Sequence, residues 1–211
     1  MFTGIIQAVG EIQSIIIDEE KGRVTVSVPS KFGDYELGES ISVNGVCLTI
    51  TEFTPNRFSV DVSAETLKRT SFRRLEVFSK VNLEKSLTST QKISGHFVMG
   101  HVDCMGIVNS FEKKSGETLF RFTYPAQFSP YIVEKGSIAI DGISLTIFDC
   151  RDYQFSVSII PFTLSNTNFD QLKIGDGVNL ECDMIGKYVY KACESLLGKS
   201  EDSEKSNQNG L

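Results

Sequence analysis

Short runs that alternate apolar and polar residues recur along most of this chain, and only near its end does the pattern change to a helical period. Val24–Val28 and Arg57–Ser63 alternate with a period of two, the spacing of a half-buried strand. Glu39–Ile50, ESISVNGVCLTI, sets two such runs around Asn44-Gly45, which predicts a β-hairpin. Leu48 and Ile50 share one strand face there, and Cys47 and Thr49 share the other. Met1–Ile17 is an apolar run broken by Gly4 and Gly10, where glycine marks a bulge or the close approach of a ligand or another backbone. Lys80–Glu84 reads as a further short strand, and Glu65–Thr70 and Phe72–Leu75 as turn or coil. About six short strands at spacings of ~8–15 residues predict a small antiparallel barrel.

The programme then repeats. Gly136–Ile147 lies over Glu39–Ile50 at an offset of 97, placing Asp141-Gly142 on Asn44-Gly45, Ser144 on Cys47 and Thr146 on Thr49. Thr66–Glu84 lies over Thr163–Glu181 at the same offset, and Gly4 and Gly10 meet Gly100 and Gly106 at 96. A period this long is a domain of roughly 100 residues rather than a solenoid unit. Residues 1–94 and 95–183 therefore read as two homologous domains, with polar Lys85–Ser94 as the link. Ile185, Val189, Ala192, Cys193, Leu196 and Leu197 recur at helical spacing, predicting an amphipathic helix over 184–197 that Gly198 stops. Residues 198–211 are polar and read as a disordered tail. The fold class is mainly β: two tandem six-stranded barrels plus a C-terminal α-helix.

Composition narrows the partners. The chain has 211 residues, 40% of them hydrophobic, and a net charge of −6, with a pI of about 5.1. That argues against nucleic acid, which calls for a clustered basic face. No run of ~18 apolar residues suggests a membrane helix, and no signal peptide is evident. Five scattered cysteines, no C-x-x-C pair and two histidines give neither a disulfide framework nor a structural zinc site. Reduced thiols in a cytoplasmic protein is the economical reading.

Two homologous domains imply two similar pockets for two similar ligands. Small polar groups on a rigid strand, Cys47 with Thr49 and Ser144 with Thr146, suit a flat, hydrogen-bonding heterocycle. Cys47 offers a better nucleophile than Ser144, against the commoner reading of a buried structural cysteine. His96 and His101, in GHFVMGHVD, fall on opposite faces if that run is a strand, which speaks against a shared metal. An acid–base role is open for either. Lys135 faces Gly38 in the other copy, so its charge is one-sided. Like pockets with unlike reactive groups suggest that two copies of one substrate react as donor and acceptor. Positioning alone can supply ~7–11 kcal/mol of such a barrier.

Met1-Phe2-Thr3-Gly4-Ile5, NGVCLT, DGISLT, SGHFVMGHVD and the two TL…T…VNLE segments together resemble the riboflavin synthase family of the trimeric α-chain type, over about residues 1–197. The resemblance implies six-stranded Greek-key barrels, each binding one 6,7-dimethyl-8-ribityllumazine, so that two lumazines meet in one site. A four-carbon unit passes between them, giving riboflavin and 5-amino-6-ribitylaminouracil, with no metal and no cofactor. It implies a homotrimer joined by the C-terminal helices, active sites between chains, and lumazine synthase as a candidate partner. Carried over by position, the first pocket would use Gly4, Ile5, Ile6, Cys47, Leu48, Thr49, Asp61, Val62, Ser63, Ala64, Glu65 and Thr66. The second would use Gly100, His101, Val102, Lys135, Ser144, Leu145, Thr146, Ser158, Ile159, Ile160, Pro161, Phe162 and Thr163. His101 is the candidate base for the acidic C7 methyl group. Cys47, or water, is the candidate nucleophile at C7 of the acceptor, with Ser144 and Thr146 positioning. The chain departs from the family at Met99, where glutamine is common, at Phe162, where histidine is common, and at Cys104, where glycine is frequent. The alternative is a non-catalytic lumazine- or flavin-binding protein, expected to lose the polar pair in one half; here both are intact. A flavin domain of an oxidoreductase would need a following glycine-rich βαβ unit.

Overall fold

The computed structural model describes residues 1–18 and 20–208, with side-chain surroundings as far as residue 196. The first repeat comprises β1 (Ala8–Ile17), β2 (Lys21–Ser27), β3 (Ser40–Val43), β4 (Val46–Thr54), β5 (Arg57–Ser63), the short helix α1 (Ala64–Arg69) and β6 (Lys80–Lys85). The strands close into a barrel in the order β1-β2-β5-β4-β3-β6, with β6 back on β1. Asn44 and Gly45 both take positive φ, 47° and 75°, which a two-residue hairpin turn of the primed type requires. The alternation read from the sequence holds: Leu48 and Ile50 enter the core, and Thr49 is exposed.

The second repeat comprises β7 (Cys104–Lys114), β8 (Glu117–Thr123), β9 (Ser137–Ile140), β10 (Ile143–Thr146), β11 (Phe148–Arg151), β12 (Gln154–Ile159), α2 (Pro161–Ser165) and β13 (Gly177–Cys182). Its sheet runs β10-β9-β13-β7-β8-β12-β11. The single strand β4 has thus become two pieces. β10 pairs with β9 and β11 with β12, as the two ends of β4 pair with β3 and β5. The break falls at Ile147, and the left-handed Asp149 (φ 54°) inside β11 goes with a shift in its register against β12. Six expected strands appear as seven, in a curled sheet of the same order.

The repeats meet at the tips of their hairpins. A Cβ added to Gly45 would lie 2.6 Å from the Gly142 nitrogen, and one on Gly142 would lie 2.9 Å from the Gly45 nitrogen. A buried polar network surrounds this contact. Asn82 Nδ2 donates to the Asp141 carbonyl at 3.0 Å, and its repeat partner Asn179 donates to the Asn44 carbonyl at 2.8 Å. Asp141 accepts from the Asn179 N–H and from Asn168 Nδ2. These groups are almost fully buried, and in a low-dielectric seam only one register satisfies them all. The network therefore fixes how one barrel sits on the other.

Helix α3 (Met184–Gln208) follows β13. Tyr190 packs edge-on against Tyr131, with ring centroids 5.3 Å apart. Ile185, Tyr188, Val189 and Leu196 stay exposed, an apolar stripe uncovered in the single chain. The helix runs through Gly198, at about 1 kcal/mol for glycine in a helix interior, so residues 198–208, expected as tail, are helical; residues 209–211 lie outside the described part. Among the described residues no helix is long and apolar enough to cross a membrane.

Candidate active site

The polar residue of each hairpin strand is paired by the opposite repeat. The Ser144 N–H on β10 donates to the Gly4 carbonyl at 2.8 Å, and the Cys47 N–H on β4 donates to the Gly100 carbonyl at 2.9 Å. Both glycines are left-handed, at φ 76° and 77°. A Cβ on Gly4 would lie 2.6 Å from Ser144 Cβ, and one on Gly100 would lie 2.5 Å from Cys47 Cβ. Only glycine allows the turn and the approach together. The exchange extends to side chains, since Ile6 packs on the second core and Val102 on the first. Phe2 and Val98 complete it, exchanging backbone hydrogen bonds of 2.7 and 3.1 Å where the two arms run antiparallel.

Buried carboxylates hold these arms. Glu84 on β6 accepts from the Thr3 N–H (2.7 Å), the Thr3 hydroxyl (2.8 Å) and the Gly4 N–H (3.0 Å). Glu181 on β13 accepts from the Met99, Gly100 and His101 N–H groups at 2.6, 2.8 and 2.9 Å. Burial pushes both carboxyls above the usual range, and the converging N–H groups pull them back. Neither glutamate was singled out from the sequence, although VNLE ends both copies of the duplicated segment. A repeated acidic residue in a strand that becomes buried was the available signal.

The expected allocation of the arms is therefore reversed. Gly100, His101 and Val102 line a cleft of about 140 Å³ with Cys47, Glu65 and Thr66 of the first repeat. Gly4 and Ile6 belong with the second repeat, whereas Ile5 is exposed and lines a separate cleft with Gln7 and Leu87. The offset matched like with like inside one repeat, and could not show that each arm crosses over. Nor do His96 and His101 lie on opposite faces of one strand: apart from the bridge at Val98, residues 95–103 form no ladder. His96 Nδ1 lies 2.7 Å from Ser144 Oγ. Burial pushes this imidazole below its ordinary pKa, opposed by Asp183. Gly95 allows the contact, because a side chain there would collide with the Thr3 carbonyl and Ser144 Cβ. Ser144 is thus hydrogen-bonded to His96 in one half-site, and Cys47 shares a cleft with His101 in the other.

The remaining candidates divide by direction. Leu48, Val62 and Ile159 are buried in the cores and Leu145 packs against one, so their side chains belong to the barrels. The Asp61 carboxylate is turned to Arg23 at 3.1 Å. Ser63 caps α1, its oxygen 3.2 Å from the Thr66 N–H, leaving Ala64 and Glu65 exposed at the first turn; Glu65 pairs with Arg69. Ser158 donates to Glu117. Pro161 starts α2, with Ile160 and Phe162 exposed beside it, and the Thr163 carbonyl accepts from the Thr167 hydroxyl. Thr146 is exposed on β10, as Thr49 is on β4. Lys135 stands in a left-handed turn (φ 65°) with its ammonium 5.5 Å above the Phe148 ring.

Comparison with known proteins agrees with this paired arrangement. The Lumazine binding domain family matches residues 3–86 and again 99–183. The chain is 46% identical to riboflavin synthase of Actinobacillus pleuropneumoniae over 207 residues, 98% of this chain and 95% of that one. It is 44% identical to riboflavin synthase of Bacillus subtilis (strain 168) over 191 residues, 90% of this chain and 89% of that one. The crystal structure of LumP complexed with riboflavin superposes with a TM-score of 0.81 at 25% identity, covering 86% of this chain and 99% of that one. With two lumazine-binding repeats and near full-length identity to these enzymes, the chain belongs to the riboflavin synthase family.

Proposed function

We infer that this chain is a riboflavin synthase that dismutates 6,7-dimethyl-8-ribityllumazine, moving a four-carbon unit between two molecules to give riboflavin and 5-amino-6-ribitylaminouracil. The observation that carries the reading is that both half-sites keep their polar parts, a thiol or hydroxyl on the strand, an imidazole beside it and a glycine from the opposite repeat. A protein that only stored a ligand would not need a thiol in one half and a hydroxyl in the other. Cys47 adds to C7 of the acceptor lumazine, whose ring takes up the electron pair, and is expelled again as the four-carbon unit is transferred. His101, at the same cleft, takes the proton from the acidic C7 methyl group of the donor. Ser144, backed by His96, and Thr146 position the second ring. With the rings held face to face, much of the barrier is removed by orientation.

The Cys47 cleft, at about 140 Å³, is smaller than the ~300–1,000 Å³ of usual ligand pockets. A second chain lying over it would complete it. The uncovered stripe on α3 supports association, and we read the assembly as a cytoplasmic homotrimer, with lumazine synthase as a partner to test by co-purification. Deleting residues 184–211 should lower the oligomeric state in sedimentation; an unchanged trimer would remove the helix from that role. The activity is tested by mixing the purified chain with the lumazine alone and following the visible spectrum. Two lumazines consumed per riboflavin formed is the expected result, whereas tight binding without turnover would make it a lumazine-binding protein.

A further inference from the structure

The repeats differ on a second face that the reaction site does not use. In the first repeat, β1, β2, β5, β4 and the turn before β6 line a cleft of about 850 Å³. Thr25 and Ser59, their hydroxyls 3.0 Å apart, lie along it. Phe53 on β4 stands toward one end of the strand order and Phe78, beside β1, toward the other; they are 43% and 74% exposed. Phe78 has a left-handed backbone (φ 75°), which a residue with a Cβ disfavours, and so exposed a ring makes little packing to offset it. Its counterpart in the second repeat is Gly175, left-handed at 95°. Phe53 has Cys150 as counterpart. Thr25 has Arg121, which is ion-paired with Asp149 across the same face. At these three positions the second repeat thus has Gly175, Cys150 and Arg121 where the first has two exposed rings and a threonine.

Both carboxylates that line the cleft have a cation beside them. Glu11 pairs with Lys80 at 2.6 Å, and Glu52 with Arg23 at 2.8 Å, an arginine it shares with Asp61. Arg57, also lining the cleft, has no ion-pair partner among the described residues. We propose that this cleft binds a small planar aromatic ligand carrying an anionic group, its ring against Phe78 and Phe53 and its anion at Arg57. The volume lies within the ~300–1,000 Å³ of small-molecule sites, and ring stacking with a guanidinium–anion pair is the chemistry on offer.

The test uses flavin mononucleotide as a ring bearing a phosphate, riboflavin as the same ring without it, and calorimetric titration of the full chain. Phe78→Gly installs the residue that the second repeat already carries in this turn, so the fold should persist and turnover should be unchanged. The wild type should bind one more flavin mononucleotide per chain than Phe78→Gly, while riboflavin gives equal stoichiometry in both. Arg57→Gln should weaken the extra site at least about tenfold, and Arg57→Lys should restore part of it. Equal flavin mononucleotide stoichiometry in wild type and Phe78→Gly would overturn the proposal. So would an extra site indifferent to Arg57→Gln, or one that takes riboflavin equally well.

Discussion

Set side by side, the two half-sites share a backbone and differ in chemistry. Cys47 and Ser144 occupy the same strand position, each N–H bonded to a left-handed glycine from the other repeat. Yet one presents a thiol beside a small open cleft with His101, and the other a hydroxyl already bonded to a half-buried His96. What the duplication has kept is the part that fixes geometry: the crossed arms, the glutamates that hold them and the hairpin tips. What it has let diverge is the reactive atom. A dismutation needs this combination, because identical substrates must be held alike and treated unequally.

The sharpest way to break the comparison is at the crossing. Gly100→Ala adds a Cβ in a left-handed turn and drives it to 2.5 Å from Cys47 Cβ. The expected loss is about 3 kcal/mol or more in denaturant unfolding, combining backbone strain with overpacking. Gly38→Ala is the control: it is equally left-handed, but its Cβ meets nothing within 4 Å, so the loss there should stay at about 1–2 kcal/mol. Equal losses would mean that the approach of arm to strand is not what requires glycine.

A second difference lies in the seam, where Asn44 of one repeat faces Asp141 of the other. Burial raises Asp141 to about 6 from its ordinary 3.8, while the Asn179 N–H and Asn168 amide oppose the rise. The folded state therefore holds this proton more tightly than the unfolded chain. Its contribution to stability is full below about pH 4 and is lost as pH rises through 6, in total about 3 kcal/mol. Asp141→Asn, matching the first repeat, should remove that share of the slope in unfolding experiments run from pH 4 to 7. Glu84 and Glu181 are also raised, so a slope of the same sign remains.

A third test makes the halves chemically alike. Cys47→Ser should reduce kcat by at least about tenfold, a barrier change of ~1.4 kcal/mol, with lumazine affinity little changed. Full activity would remove the thiol from the reaction.

Much of this arrangement was legible in the sequence. The period of two placed Leu48 and Ile50 inward and Cys47 and Thr49 outward, and Asn44-Gly45 and Asp141-Gly142 gave the turns. Those signals are local, and local geometry decides them. The crossing was not legible, because a glycine at position 4 or 100 shows that something comes close without showing which strand it is. The same limit hid His96, whose partner lies 48 residues away, and Glu84, whose partners lie at the far end of its own repeat. The break at Ile147 was missed because the alternation from Ile143 to Ile147 gives no sign of it.

The crossed assignment of the arms is tested most directly at the Cys47 thiol. Its alkylation rate, read by mass spectrometry of the Cys47 peptide with and without bound lumazine, should show strong protection in the wild type. His101→Ala should abolish that protection, and His96→Ala should leave it intact, because His101 shares the cleft with Cys47 while His96 is bonded to Ser144. Protection lost in His96→Ala but retained in His101→Ala would contradict the exchange of arms between the repeats.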